Sequence, residues 1–598
     1  MANNDNSFEL KCFLLDDKHT TFSIRVLSSF KVAELIPEIK QSYDLLATGG
    51  TLSGIALYQV NAMVKELSGL KSPPEDSYPL SLINSVGDYW PDSRYINEWC
   101  IQILIKAQVV AIQPQEESVK PDSKPSSQLE PLASLQEEAA KYYRCDSSDS
   151  SAAQYSDFEL QQVQGKTPIY NGRPINRTAS PIELFHPAFD VFATQLEKTE
   201  NLSASHYAAV EELMVSSQAF HGSDCGRWWD IKDLVADAIK YPMDQDDSCS
   251  DESGGVVVLT DAKWGHKPYG ALVEISDEIG AKNPDPSVKG AQSYAKYWSQ
   301  EEMTGLRQAT PCPSLIISFV GPWLCVWGAV YLEHVVVQPL TDFIWLGRHP
   351  QQNRRQMRVV RVFDAIATTI AALEKYYTPF VKPDSTLSID HQRFFPYIRS
   401  VRSSEGLIHF SYKRRLSPET MRSLFEAVTD DGRRLVVKFS ESYHYEAHKL
   451  LSDRSLAPKL ISQRAEPVGG NLFMVVMELS GTSLERYLSA HPKLDHSALD
   501  RVRADVQDAL EILHAHNLVF GDLRQPNVLV TQALRGQLVD FDWCGLQGQA
   551  RYPIGMNQSW KLGWPPGVQK GSLMFKQHDR LMLQRLFGQS RNAGLFEA

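Results

Sequence analysis

The sequence contains no Cys-x-x-Cys pair and no cysteine with a histidine doublet nearby; its eight cysteines are scattered from Cys12 to Cys544. That spacing fits neither a disulfide framework nor a zinc site, and it suits a reducing compartment. An excess of positive charge is also missing. Against 60 Lys and Arg stand 72 Asp and Glu, a net charge of -12, which argues against nucleic-acid binding by blanket charge neutralisation. No basic head with a long apolar core opens the chain, so no secretory signal is expected. One run is long and uncharged: "LIISFVGPWLCVWGAVYL", Leu315–Leu332. Gly321-Pro322 interrupts it, and its Val, Ile, Trp and Tyr favour strands, so it reads as two buried strands around a tight turn rather than a membrane span. The expectation is an intracellular protein of the cytoplasm or nucleus, with export into a host cell as the alternative, no membrane partner, and no nucleic-acid partner unless at a local basic face.

What is present is a chain of 598 residues, 43% hydrophobic and 22% charged, enough for several domains of a multidomain α+β protein. Residues 8–108 read strand, strand, helix, strand, strand: "FELKCFLL", "TFSIRVL", "KVAELIPEIKQSY", "GIALYQV" and "WCIQILIKA". That is the order of a β-grasp, or ubiquitin-like, domain. Residues 113–177 turn to Ser, Glu, Gln, Pro and Asp, a composition that predicts a disordered linker, with "LASLQEEAAKYY" as a transient helix inside it. Residues 180–380 mix helical periodicity with apolar strands and predict an α/β domain. From 395 to 598, strands precede a helix, a further strand pair ends at a hinge, and helices follow.

The stretch "VFGDLRQPNVLV", Val519–Val530, carries the chemistry of the last section. Phosphoryl transfer from a nucleotide needs a cation on the phosphates, carboxylate and amide ligands for Mg²⁺, and a carboxylate facing the acceptor hydroxyl. Protein kinases supply these as a strand lysine, an Asp before Phe-Gly, an Asn, and an Asp five residues before that Asn. The sequence offers them in that order. Lys438 stands in "LVVKF", with Glu446 on the following helix as its expected ion-pair partner. Asp522 and Asn527 are the D-x-x-x-x-N pair, Arg524 the cation beside the transferring phosphoryl, and Asp540 opens "DFDWCG". Asp540 and Asn527 are expected to hold Mg²⁺, and "MVVMEL" to present hinge backbone to adenine around Glu478. The expected cofactors are ATP and Mg²⁺, with no other metal.

Several departures accompany that set. Phe520-Gly521 replaces the His-Arg before the catalytic Asp, Asp542 replaces the Gly of Asp-Phe-Gly, and no G-x-G-x-x-G precedes Lys438, where "KRRLSPETMRSL" stands instead. No Ala-Pro-Glu follows. With "YHYEAHKLL", "APKL", "GDLRQPN", "DFDW", "RYP" and His578-Asp579, the section resembles the compact kinase-like domains of Crinkler-type proteins in fungi. The opening strand, "KVAELIPEIK", "LYQV" and "PLSLINSVGDYWP" likewise resemble the Crinkler header domain, without the leucine-rich translocation motif. The resemblance implies an effector-like architecture and a phosphotransferase acting on Ser or Thr hydroxyls of a protein. The alternative is a non-catalytic pseudokinase effector or protein-interaction module.

The middle section is weakly similar to restriction-endonuclease-like domains, which hold Mg²⁺ with an Asp and a Glu and place a Lys two residues after the Glu. Glu274 stands at the Glu, but Ser276 stands at the Lys and the partner Asp falls near Gly254. The expectation is an inactive nuclease-like domain. The basic run "RHPQQNRRQMRVVR" reads as a nucleic-acid face, a nuclear signal or a solvated helix surface.

Overall fold

The computed structural model describes residues 7–14, 21–27, 35, 39, 50–62, 78–79, 101–111, 129–145, 149–198, 202–221, 223–245, 254–259, 267–276, 278–279, 285–380, 387–416, 423–491, 496–558 and 563–588. The chain divides into two compact units, Met1–Pro125 and Ser126–Ala598.

In the first unit, β1 (Ser7–Leu14), β2 (Thr21–Leu27), β3 (Gly50–Ala62), β4 (Tyr78–Pro79) and β5 (Ile101–Ala111) form one sheet in the order β2-β1-β5-β3-β4. β1 and β2 are antiparallel, whereas β5 runs parallel to β1 with Ile103 opposite Cys12. Leu10 and Cys12 on β1, and Ile103 and Ile105 on β5, are buried, the period of two that places alternate side chains on one face. Of the helix expected over 31–43, only Leu35 and Ile39 are among the described residues. Both are helical and buried, four apart as one helical face requires.

The second unit begins with a correction. Residues 129–145 and 149–177, expected within a disordered linker, are folded; residues 113–128 and 146–148 lie outside the described ones. α1 (Leu129–Cys145) and α2 (Tyr155–Gln164) belong to this unit, and α1 packs on a later helix, α6 (Pro286–Ser299). Glutamines hold the segment in place. Gln136 is buried, donates to Tyr331 O at 3.0 Å and accepts from Arg393 Nη2 at 3.0 Å. Gln162 both donates to Ile169 O and accepts from Ile169 N, each at 2.8 Å. These satisfied polar side chains dock the segment together with its apolar anchors, Ala139, Tyr143, Phe158 and Ile169.

Helices α3 (Ala188–Glu197), α4 (Ala204–Ser217) and α5 (Asp224–Ile239) come next. They precede a sheet of β6 (Asp244–Gln245), β7 (Gly254–Val258), β8 (Tyr269–Ser276), β9 (Ser314–Val320), β10 (Trp323–Tyr331) and β11 (Val335–Pro339) in the order β11-β10-β9-β8-β7-β6. β12 (Ile344–Trp345) adds beside β10. β8 and β9 are parallel, joined through α6, and the other pairs are antiparallel. The uncharged run Leu315–Leu332 is β9 and β10, turning at Gly321 with φ +52 and Val320 opposite Trp323. That is the strand pair its sequence predicts. A short helix, α7 (Thr304–Ala309), precedes this pair, and the long α8 (Gln352–Tyr377) comes after the sheet. Among the described residues no helix is long and apolar enough to cross a membrane.

The last section does not stand apart from the middle one. β13 (Ser400–Ser403), β14 (Gly406–Arg415), β15 (Ser423–Thr429), β16 (Arg434–Ser440), β17 (Glu466–Val468) and β18 (Leu472–Glu478) form a sheet in the order β13-β14-β15-β16-β18-β17. Its inner face (Tyr412, Phe425 and Val437 among others) shares one apolar core with the middle sheet. Phe395 stacks on Tyr412 at 5.6 Å, and Arg415 Nη2 reaches Glu333 at 3.2 Å. The sections expected at 180–380 and 395–598 thus form one body. α9 (Tyr445–Ser452) follows β16, and α10 (Leu484–Ala490), α11 (His496–Ala515) and α12 (Lys576–Gly588) build a second core with Leu451, Leu513, Phe520, Phe541 and Met574.

Candidate active site

Two chain segments meet beneath β16. The first follows α11. Leu518–Val519 forms a short strand, and Gly521 then turns at φ +83, where a Cβ would strike the Met574 methyl. A glycine is required there on both counts. The backbone N–H groups of Phe520 and Gly521 both donate to Asp579, each at 2.8 Å. Asp579 lies on α12, is fully buried, and also accepts from His514 Nε2 at 2.9 Å. This acceptor fixes the turn that delivers Asp522.

Asp522 is 2% exposed. A single 3₁₀ turn, Gln525–Asn527 with Pro526 inside it, brings Asn527 back so that its Nδ2 donates to Asp522 O at 2.9 Å and Asp522 Oδ2 at 2.8 Å. The five-residue spacing of the pair is therefore the spacing of one closed loop. Arg524 grips the same carboxylate through Nε and Nη2, the latter at 2.7 Å. Burial works against the guanidinium, and Asp522 more than offsets that, so the Arg524 pKa is raised further. Arg524 also lies 5.5 Å from the centre of the Trp564 ring.

The second segment follows the strand Gly536–Leu538. Asp540 takes φ +74, uncommon for a residue with a side chain, and its carboxylate pairs with Lys438. Lys438 also donates to Asp542 Oδ1 at 2.5 Å, while Ser440 Oγ donates to Asp542 Oδ2 at 2.8 Å. Between the two aspartates, Phe541 is fully buried, stacked on His448 at 4.8 Å and edge-on to Phe520 at 5.5 Å. Burial disfavours the Lys438 ammonium, yet Asp540 and Asp542 together raise its pKa. Burial pushes the Asp542 carboxyl up to about 6, with Asp540 acting in the same direction and Lys438 against it.

Glu446 is not the partner of Lys438. It sits in the first turn of α9 and is exposed; the buried face of that helix is Ala447, His448 and Leu451. Asp540 and Asp542 supply the counter-charge instead. Glu478 closes β18; its backbone N–H donates to Lys459 O at 2.8 Å and its side chain pairs with Lys459 at 3.4 Å. Of the residues singled out in the sequence, Lys438 is brought to Asp540, and Asp522 to Arg524 and Asn527. Asp542 reads as a departure in the sequence, but the turn over Phe541 and Asp542, entered through the positive φ of Asp540, brings its carboxylate to Lys438 as well. The tip of the loop before Lys438, residues 417–422, lies outside the described residues.

In the middle section, the register sets Gly254 opposite Glu274. A Cβ on Gly254 would lie 3.3 Å from Glu274 Oε2 and 2.8 Å from Val273 O, so no acidic side chain fits. Glu274 is 3% exposed, pairs with Lys289 of α6 at 3.3 Å and accepts from Ser293 Oγ at 2.8 Å. The carboxylate is neutralised from the helix rather than from position 276.

Among the described residues, no group of three or more His, Cys, Asp or Glu is placed to hold a metal ion. Compared with known proteins, the chain matches no family model and no curated protein.

Proposed function

We propose that the C-terminal section is an ATP- and Mg²⁺-dependent phosphotransferase of protein-kinase-like organisation, acting on Ser or Thr hydroxyls of a protein. The observation that carries this reading is the meeting of Lys438 with Asp540 while a separate buried loop pairs Asp522 with Asn527. A lysine already poised against the metal-binding carboxylate needs only an exchange of partners to receive phosphates. The donor set also fits Mg²⁺. Asp540 and Asn527 offer hard oxygen atoms, and this ion is ordinarily held by one or two protein carboxylates plus nucleotide phosphates rather than by a closed protein cage. When bound, the ion neutralises charge on the transferring group. Asp522 faces the acceptor hydroxyl, and Arg524 both orients it and supplies a cation. Hinge contacts fall to the backbone around Glu478.

For the first unit, the strand order β2-β1-β5-β3-β4 with β1 parallel to β5 supports the β-grasp reading. The parallel β8–α6–β9 crossover supports a nuclease-like descent for the middle section, and the Lys289–Glu274 pair supports its inactivity. The Crinkler-type assignment of the whole rests on the sequence marks.

A second reading has one observation in its favour. Arg524 occupies both carboxylate oxygens of Asp522 with two hydrogen bonds, which leaves less of that carboxylate open to an acceptor hydroxyl. On that reading the section binds without reacting. Incubating the full chain with γ-labelled ATP, Mg²⁺ and a general protein acceptor separates the two. Label transferred to protein, and lost in Asp540→Ala, supports the phosphotransferase; no transfer at millimolar nucleotide supports the binding module.

A further inference from the structure

The basic run of the sequence forms a lined groove. A cavity of about 1140 Å³ lies where the first turns of α8 pass the β10–β12 edge of the middle sheet. Four arginines of α8 line it: Arg354, Arg355, Arg358 and Arg361. Arg354, Arg358 and Arg361 follow the spacing i, i+4, i+7, and at about 1.5 Å rise per residue the first two stand roughly 6 Å apart along the axis. The first three are exposed and Arg361 is half-buried. Among the described residues none of these guanidinium groups has an ion-pair or hydrogen-bond partner. The next acid on the helix, Asp364, is taken up by Gln195 and Lys240. Among the described residues Asp342 is the one acid in the lining.

Trp323, Phe343 and Trp345 stand in the rest of the lining, among aliphatic side chains. Trp323 and Trp345 are opposite each other in the β10–β12 register, with rings edge-to-face at 4.9 Å. The Trp345 ring lies over Gly347, where a Cβ would fall 2.3 Å from it, so the absence of a side chain there lets the indole settle. Phe343 is 50% exposed at the rim.

We propose that this groove binds single-stranded nucleic acid, with phosphates on the arginines and unstacked bases on the aromatic wall. Unpaired cations concentrated on one helix of an otherwise acidic chain call for a polyanion, and the positive end of the helix dipole adds to them. Flat aromatic surface beside the cations calls for a ligand with exposed ring faces between its charges. A single strand has those faces, whereas a duplex hides them in its stack. The site is separate from Lys438 and Asp522, and it departs from the expectation that nucleic acid is not a partner.

Fluorescence anisotropy of the full chain with a labelled oligothymidine of about a dozen nucleotides tests this, with a duplex of equal length and heparin as controls. Three or four phosphate contacts predict that log K falls against log salt with a slope of roughly -2 to -3. Arg354→Ala with Arg358→Ala flattens that slope by about 1.4 and weakens binding at least tenfold. These are surface positions, and an unchanged circular dichroism spectrum verifies the fold. Phe343→Ala weakens the single strand roughly fivefold or more and leaves heparin unaffected. No binding, tighter duplex than single-strand binding, or a single-strand affinity indifferent to both variants overturns the proposal. Equal loss of heparin and oligonucleotide in Phe343→Ala also overturns it, because the aromatic wall then serves only the fold.

Discussion

Asp579 accepts the backbone N–H of Gly521 at 2.8 Å, although 58 residues separate them in sequence. Its other oxygen takes the N–H of Phe520, so one buried carboxylate sets the turn that presents Asp522. Asp579→Ala leaves two buried amides unpaired, at about 1–3 kcal/mol each, and should cost roughly 2–5 kcal/mol of stability. Asp579→Asn keeps an acceptor and should cost less. Chemical denaturation of the three proteins measures this; identical midpoints would mean the loop is held by something else.

His448 predicts a pH dependence of stability. Its Nε2 lies 2.8 Å from Pro458 O and therefore carries the proton, while Nδ1 accepts from Tyr443 OH at 2.6 Å. Burial lowers its pKa to about 4; the Pro458 carbonyl opposes this and Lys438 adds to it. A folded pKa below the unfolded one makes this contribution complete above about 6.5 and lost as pH falls towards 4. Denaturation midpoints should drop across that window by the equivalent of a few kcal/mol. His448→Phe, which keeps a ring against Phe541, should remove that part of the slope.

The folded residues 129–145 and 149–177 give a third expectation. Limited proteolysis should spare it, because Gln136, Gln161 and Gln162 are buried and bonded and a protease needs the backbone released. Rapid cleavage within α1 or α2 would contradict the docking.

That segment also shows where the sequence was legible and where it was not. Period-two apolar runs located β1, β2, β3 and β5, and Gly321-Pro322 resolved the uncharged run into β9 and β10. Composition misled at Gln136 and Gln162, because a glutamine that hydrogen-bonds inside a core looks the same in sequence as one in a coil. Lys438, Asp522, Asn527 and Asp540 were visible through their fixed spacings. The Glu446 assignment went astray because a first-turn position can face either way, and only the burial of Ala447 and His448 decides it. Asp579 owes its role to tertiary contact at long range, which local pattern does not encode.

On the phosphotransferase reading, Asp542 competes with phosphates for Lys438. Its replacement by Asn should tighten Mg²⁺-free ADP binding several-fold, because an amide holds an ammonium less strongly than a carboxylate does. In the wild-type protein the same affinity should rise as pH falls through about 6, where Asp542 takes up a proton; the variant should lack that rise. Glu446→Ala, on the solvent side of α9, should change neither. Calorimetry at several pH values reads all three, and a weaker Asp542→Asn would instead place this carboxylate among the nucleotide's supports.

The most direct test of the phosphotransferase reading is Mg²⁺-ATP binding and turnover in wild type, Asp540→Ala and Asp522→Ala, measured side by side. Loss of Asp540 should abolish Mg²⁺-dependent binding and with it transfer. Loss of Asp522 should leave binding nearly intact and lower turnover by roughly a hundredfold or more, the scale of a positioned acid–base group. Wild type that binds no Mg²⁺-ATP at millimolar concentration, or two variants that transfer phosphate as well as wild type, would contradict the account.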